Sequence, residues 1–207
     1  MQILNLKKDK LHLTRVLLSD GGEVLIDNDV CSEKCLKSGM EIEADYLKLL
    51  CDESDYRRAK SRAVWYLDRN DHTEKGLYDK LVRAGFKREA AAKVIARFLE
   101  VGLLDDERFA RNYAERLMAS NVSKREAVQK MLLKGVPYDL AKQILAEDET
   151  DEQAQVKNLI EKKYRSKLAQ EKGGEKVFAA LVRKGFSYSV VREALKSYIE
   201  ESEEDYV

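Results

Sequence analysis

Lys80-Leu-Val-Arg-Ala-Gly-Phe86, Lys130-Met-Leu-Leu-Lys-Gly-Val136 and Ala180-Leu-Val-Arg-Lys-Gly-Phe186 decide the fold. Their glycines fall at 85, 135 and 185, fifty residues apart both times. Each glycine follows an apolar run whose last turn holds or adjoins a basic residue, and each precedes an apolar residue. Glycine just past a helix end adopts the left-handed backbone that other residues resist, and the apolar residue after it folds back onto the helix. The spacing predicts three helix ends of one kind, in three tandem units.

Outward from these ends, each unit supplies a following helix: Glu89–Glu100, Tyr138–Ala146 and Ser189–Ile199. Their apolar residues fill one face of a 3.6-residue repeat. Each unit also opens with a helix, Arg57–Arg69, Asp106–Ala119 or Glu152–Tyr164. Start signals agree: Thr73 stands before Glu74, Ser123-Lys-Arg-Glu126 has capping-box spacing, and Pro137 punctuates the gap after Gly135. Ser166–Gly174 is longer and polar, and is expected to be a mobile connection. Three helices bury little core alone, so each unit is expected to pack on its neighbour.

Residues 1–56 read differently. Ile3–Leu6, Leu11–Leu18 and Val24–Ile26 are short, β-branched or alternating runs, and Asp20-Gly-Gly22 between the last two is a hairpin signal. A short helix over Asp29–Lys37 and a second over Glu41–Cys51 complete a small cap. The expected fold is mainly α: tandem three-helix repeats behind a small N-terminal segment containing a β-hairpin. The divisions are 1–56 (α/β cap), 57–104 (repeat 1), 105–150 (repeat 2) and 151–207 (repeat 3 with an acidic tail).

The composition fits. Of 207 residues, 37% are charged and one is proline, which favours helix and rules out collagen-like and linker-like chains. No apolar run approaches the ~20 residues that span a bilayer, and the first residues lack a signal-peptide core, so a soluble cytoplasmic protein is expected. Cys31, Cys35 and Cys51 read as reduced thiols rather than a zinc site, because His12 and His72 lie at no finger spacing from them. No metal or other cofactor is expected, and no heptad seam suggests a dimer, so a monomer is.

Net charge is zero, but as an average over unlike parts. Residues 1–56 carry 7 basic and 12 acidic side chains, residues 57–145 carry 20 and 12, and residues 146–207 carry 11 and 14. The basic middle suits an anionic partner, and its clusters single out Arg57, Arg58, Arg62, Arg83, Lys87, Arg88, Lys124, Arg125, Lys130 and Lys134. No aromatic platform with a single-strand binding pattern stands out. Catalytic patterns are absent too: Asp105-Asp106 reads as a helix cap, His72 as a turn residue bonding backbone groups, and Trp65, off the apolar stripe, either as a partly exposed interface side chain or as one filling a neighbouring unit's groove.

Ala63-Val-Trp-Tyr-Leu67, Arg69-Asn-Asp-His-Thr73, Leu77, Lys80-Leu81 and Gly85-Phe86 together resemble the RecX family, bacterial regulators of the RecA recombinase. Gly102-Leu-Leu-Asp-Asp106, Phe109-Ala110, Leu132 and Lys134-Gly135-Val136 extend the likeness, which covers residues 57 to about 200. Gly76 departs from the family pattern, which has an acidic residue there, so Thr73 loses its capping-box partner. The resemblance implies tandem three-helix repeats in an elongated curved array, no catalytic residues, and binding along the RecA filament on single-stranded DNA. It further implies inhibition of strand exchange and of ATP turnover, with DNA met directly or through RecA. The alternative reading is an autonomous DNA-binding helical protein.

Overall fold

The computed structural model describes the backbone of residues 1–10 and 12–204, and side chains as far as residue 200. The chain divides into two compact units, Met1–Asp105 and Asp106–Val207.

The first unit opens with an antiparallel sheet in sequence order, β1 (Ile3–Lys8), β2 (Leu13–Leu18) and β3 (Glu23–Asp27). Gly21, at φ +83°, makes the expected turn between β2 and β3. Ile3 lies opposite Leu18 and Val16 opposite Val24, so the two-residue alternation sends Ile3, Val16, Leu18 and Ile26 to one face. Helix α1 (Asn28–Glu33) and the first half of α2 (Ala44–Leu67) cover that face through Val30, Leu47 and Leu50.

Two expected boundaries shift here. The first short helix stops at Glu33 rather than Lys37, followed by left-handed Cys35 and Gly39. The predicted helices at Glu41–Cys51 and Arg57–Arg69 are one continuous helix, α2. Polar Asp52-Glu-Ser-Asp55 reads as a gap, yet no proline or glycine interrupts it. Ser54 is buried, and its hydroxyl accepts the backbone N–H of Asp27 at 2.8 Å, a tertiary partner invisible to local reading. Helix α2 thus serves two cores, its second half placing Ala59 and Ala63 against α3 (Glu74–Arg83) and α4 (Arg88–Glu100).

The second unit holds α5 (Asp106–Ala119), α6 (Lys124–Leu133) and α7 (Tyr138–Glu147) around one core. A further core is built from α8 (Glu152–Leu159), α9 (Arg165–Leu168), α10 (Gly173–Arg183) and α11 (Tyr188–Glu204). A π turn, Ile160–Tyr164, carries α8 into α9. The expected polar connection is largely structured: α9 occupies its start, and Gly173 is a buried first residue of α10. The predicted acidic tail lies mostly outside the residues whose side chains are described.

The fifty-residue period holds beyond the glycines. Gly85, Gly135 and Gly185 take φ +91°, +93° and +95°. Gly85 donates to the Val82 carbonyl and Phe86 to that of Leu81, and Gly135 and Val136 repeat this onto Leu132 and Met131. That is the paired bonding of a helix closed by a left-handed residue. Leu77, Ala127 and Val177 share a buried position, as do Leu81, Met131 and Leu181, and Ala91, Ala141 and Val191. Register, not identity, repeats, because burial constrains volume and polarity more than residue type.

Candidate functional site

The ten predicted cations stand in unlike surroundings. Arg57 grips Glu33 through both carboxylate oxygens, at 2.7 and 2.5 Å, and reaches Glu53 at 3.0 Å. The hydrogen-bonded guanidinium holds the Glu33 carboxyl below the usual carboxylate range. Arg58 lies 3.8 Å from Asp55 and over the Phe86 ring. Lys87 bridges Asp55 at 3.0 Å and Asp52 at 3.2 Å, and these bonds raise its pKa. Lys130 pairs with Glu126 along α6 at 2.8 Å. The Lys124 ammonium donates to the Asp148 carbonyl at 2.5 Å. These five cations are therefore engaged within the chain. Such pairing fastens α1 to α2 and α2 to the start of α4.

Arg62, Arg83, Arg88 and Arg125 are exposed and have no carboxylate partner among the described residues. Arg83 donates from Nε to the Asp79 carbonyl at 3.2 Å, a bond that does not use its terminal N–H groups. Lys134 is exposed at the end of α6.

Sequence reading missed a cluster at the end of α2. Trp65, 44% exposed, carries the guanidinium carbon of Arg69 3.6 Å from its ring centroid and that of Arg62 at 5.3 Å. Arg69 also donates to the Trp65 carbonyl at 3.1 Å. Tyr66 meets Trp65 edge-on at 5.3 Å, and the Lys80 ammonium lies 5.0 Å from the Tyr66 centroid. Lys80 is also 3.2 Å from Nε2 of His72, so the histidine has a side-chain partner where only backbone bonds were expected. The signal was present: Arg62, Trp65 and Arg69 stand at i−3 and i+4, neighbours on a helix surface.

The remaining chemistry-bearing groups serve the fold. Thr73 Oγ1 accepts the Gly76 N–H at 3.0 Å, so the threonine half of the cap survives the glycine. Burial pushes the Cys31 and Cys51 thiols up, away from the reactive thiolate form. Among the described residues, no cluster of His, Cys, Asp and Glu could hold a metal ion, and no helix is long and apolar enough to cross a membrane.

Tandem three-helix units and a small sheet define a helical-repeat protein, with exposed arginines on its surface. Residues 59–98 match the family model of the RecX first three-helix domain, and residues 149–195 that of the third. A "Regulatory protein RecX" from Prosthecochloris aestuarii is 36% identical over 147 residues, covering 69% of this chain and 95% of that protein. One from Clostridium tetani is 25% identical over 205 residues, covering 95% and 93%. A crystal structure of a regulatory protein RecX superposes with a TM-score of 0.67 at 22% identity, covering 95% of this chain and 98% of that one. The chain belongs to the RecX family.

Proposed function

We propose that the protein is a non-enzymatic regulator that binds the RecA filament on single-stranded DNA and inhibits its strand exchange and ATP hydrolysis. Membership of a family whose members are named regulatory proteins, matched along nearly the whole chain, carries this reading. The functional segments are 1–56, 57–104, 105–150 and 151–207. The protein acts as a monomer in the cytoplasm, without a cofactor.

Magnitudes rank the contact residues. A half-exposed i,i+4 pair such as Lys130–Glu126 is worth ~0.5 kcal/mol, so an incoming phosphate displaces the glutamate readily. Arg57 is different: three hydrogen bonds to two carboxylates, one of them bidentate, must break before it can turn outward. Arg62, Arg83, Arg88 and Arg125 therefore make the first contacts, Lys130 and Lys134 follow, and Arg57, Arg58, Lys87 and Lys124 hold the scaffold. Repeats on both units let one molecule touch successive filament subunits and impede growth or exchange.

Titration into RecA on single-stranded DNA, with ATP hydrolysis as the readout, tests this. Substoichiometric protein should slow turnover, and Arg83→Glu with Arg88→Glu should relieve the inhibition. Unchanged turnover across the titration would sink the reading.

A further inference from the structure

We propose that the Arg62–Trp65–Arg69 cluster at the end of α2 is a binding site for one unstacked base and its phosphate in single-stranded nucleic acid. This deepens the nucleic-acid half of the function proposed above and rests on it. Three observations carry it.

First, the indole is on the surface, with both guanidinium groups within cation–π range of it. A guanidinium against an aromatic ring is already ordered and weakly hydrated, so less freedom is lost when it takes a ligand. Second, the donors are left over: Arg69 uses one N–H on the Trp65 carbonyl, and neither arginine has a carboxylate partner among the described residues. Their N–H edges therefore suit a phosphate, for which the guanidinium fork is matched. Third, the surroundings are cationic as well as aromatic: Tyr66 packs edge-on against the indole, and Lys80 sits beyond it, 5.0 Å from the Tyr66 centroid. Asp68 and Asp71 are the exposed acids of the same turn, and against them stand three cations.

Planar stacking selects single strands. Every base has a π face, but only an unpaired base can swing onto an indole or a guanidinium plane, and that contact is sequence-tolerant. Duplex DNA offers phosphate alone. The predicted ligand is thus a flexible single strand, with no preference for sequence beyond stacking strength.

The chain contains one tryptophan, which makes the site its own reporter. The experiment titrates the full-length protein, without RecA, with an oligothymidylate of about 10 nucleotides and follows tryptophan fluorescence. Saturable quenching that weakens as salt rises is expected. The double variant Arg62→Ala, Arg69→Ala should weaken binding tenfold or more, while Arg97→Ala, whose partner is Glu100, should leave it unchanged. Trp65→Phe keeps an aromatic ring, and with a labelled oligonucleotide it should retain much of the affinity that Trp65→Ala loses.

Three outcomes overturn the proposal: no binding, binding by anisotropy without a change in tryptophan emission, or equal binding of duplex or inorganic polyphosphate. The same variants assayed on RecA separate the two readings. Filament inhibition without quenching leaves the regulator and removes the base-binding site. Quenching without inhibition does the reverse.

Discussion

Arg57 and Ser123 show how one side chain can tie distant segments. Glu33 belongs to α1 and Arg57 to α2, and their bidentate pairing holds the Glu33 carboxyl below its ordinary value. A carboxylate lowered on folding stabilises the fold above its unfolded pKa of about 4.3, and that contribution is lost as pH falls through the lowered value. The pair is therefore fully formed near neutrality and titrates only in acid. Arg57→Ala should return the Glu33 pKa upward, measurable by carboxyl carbon NMR across an acid titration. Ser123 is buried, and its hydroxyl accepts the Glu126 N–H at 3.2 Å while donating to the Lys184 carbonyl at 2.6 Å. It caps α6 and binds the end of α10 at once. Ser123→Ala should cost about 1–3 kcal/mol, read as a lower urea midpoint with an unchanged slope, because cap and carbonyl both lose a partner.

At the scale of elements, the periodic glycines are not equivalent. A side chain at Gly85 would meet nothing within 4 Å, so Gly85→Ala pays only for left-handed backbone, about 1–2 kcal/mol. At Gly185 the added carbon would lie 2.7 Å from the Ser123 hydroxyl and 3.2 Å from the Arg125 Cβ. Gly185→Ala should therefore lower the thermal midpoint more than Gly85→Ala does, and equal shifts would show that Ser123 yields freely. Gly173 needs no positive φ, but its added carbon would lie 2.1 Å from the Lys167 carbonyl oxygen. That atom is backbone and cannot move aside cheaply, so Gly173→Ala should be the most damaging of the three in the same melt. The helix ends were legible because glycine and apolar signals act within six residues. The role of Gly173 was not, since its crowding comes from the turn of chain that precedes α10.

For the whole molecule, the division into two compact units bears on cooperativity. Trp65 reports only the first unit, whereas far-UV circular dichroism reports helices throughout. The two probes should give non-coincident urea transitions, and superimposable curves would mean a single cooperative block. Charge also changes meaning at this scale. The basic middle, with 20 cations against 12 acids, was legible from counting. Which cations face outward was not. Lys87 meets Asp52, 35 positions away, only because α4 starts beside α2.

The sequence by itself determined the repeat, its fifty-residue period, the left-handed helix ends and the apolar faces. Each rests on forces between residues a few positions apart: backbone sterics, capping and the 3.6-residue turn. Tertiary structure alone decided that α2 runs unbroken through Ser54, which finds its partner on β3, and that Arg57 and Lys87 pair with carboxylates while Arg83 and Arg88 do not. Those outcomes depend on which helix comes to lie against which. Ion pairs and buried hydroxyls are satisfied across space, so their partners are named only when the cores have packed.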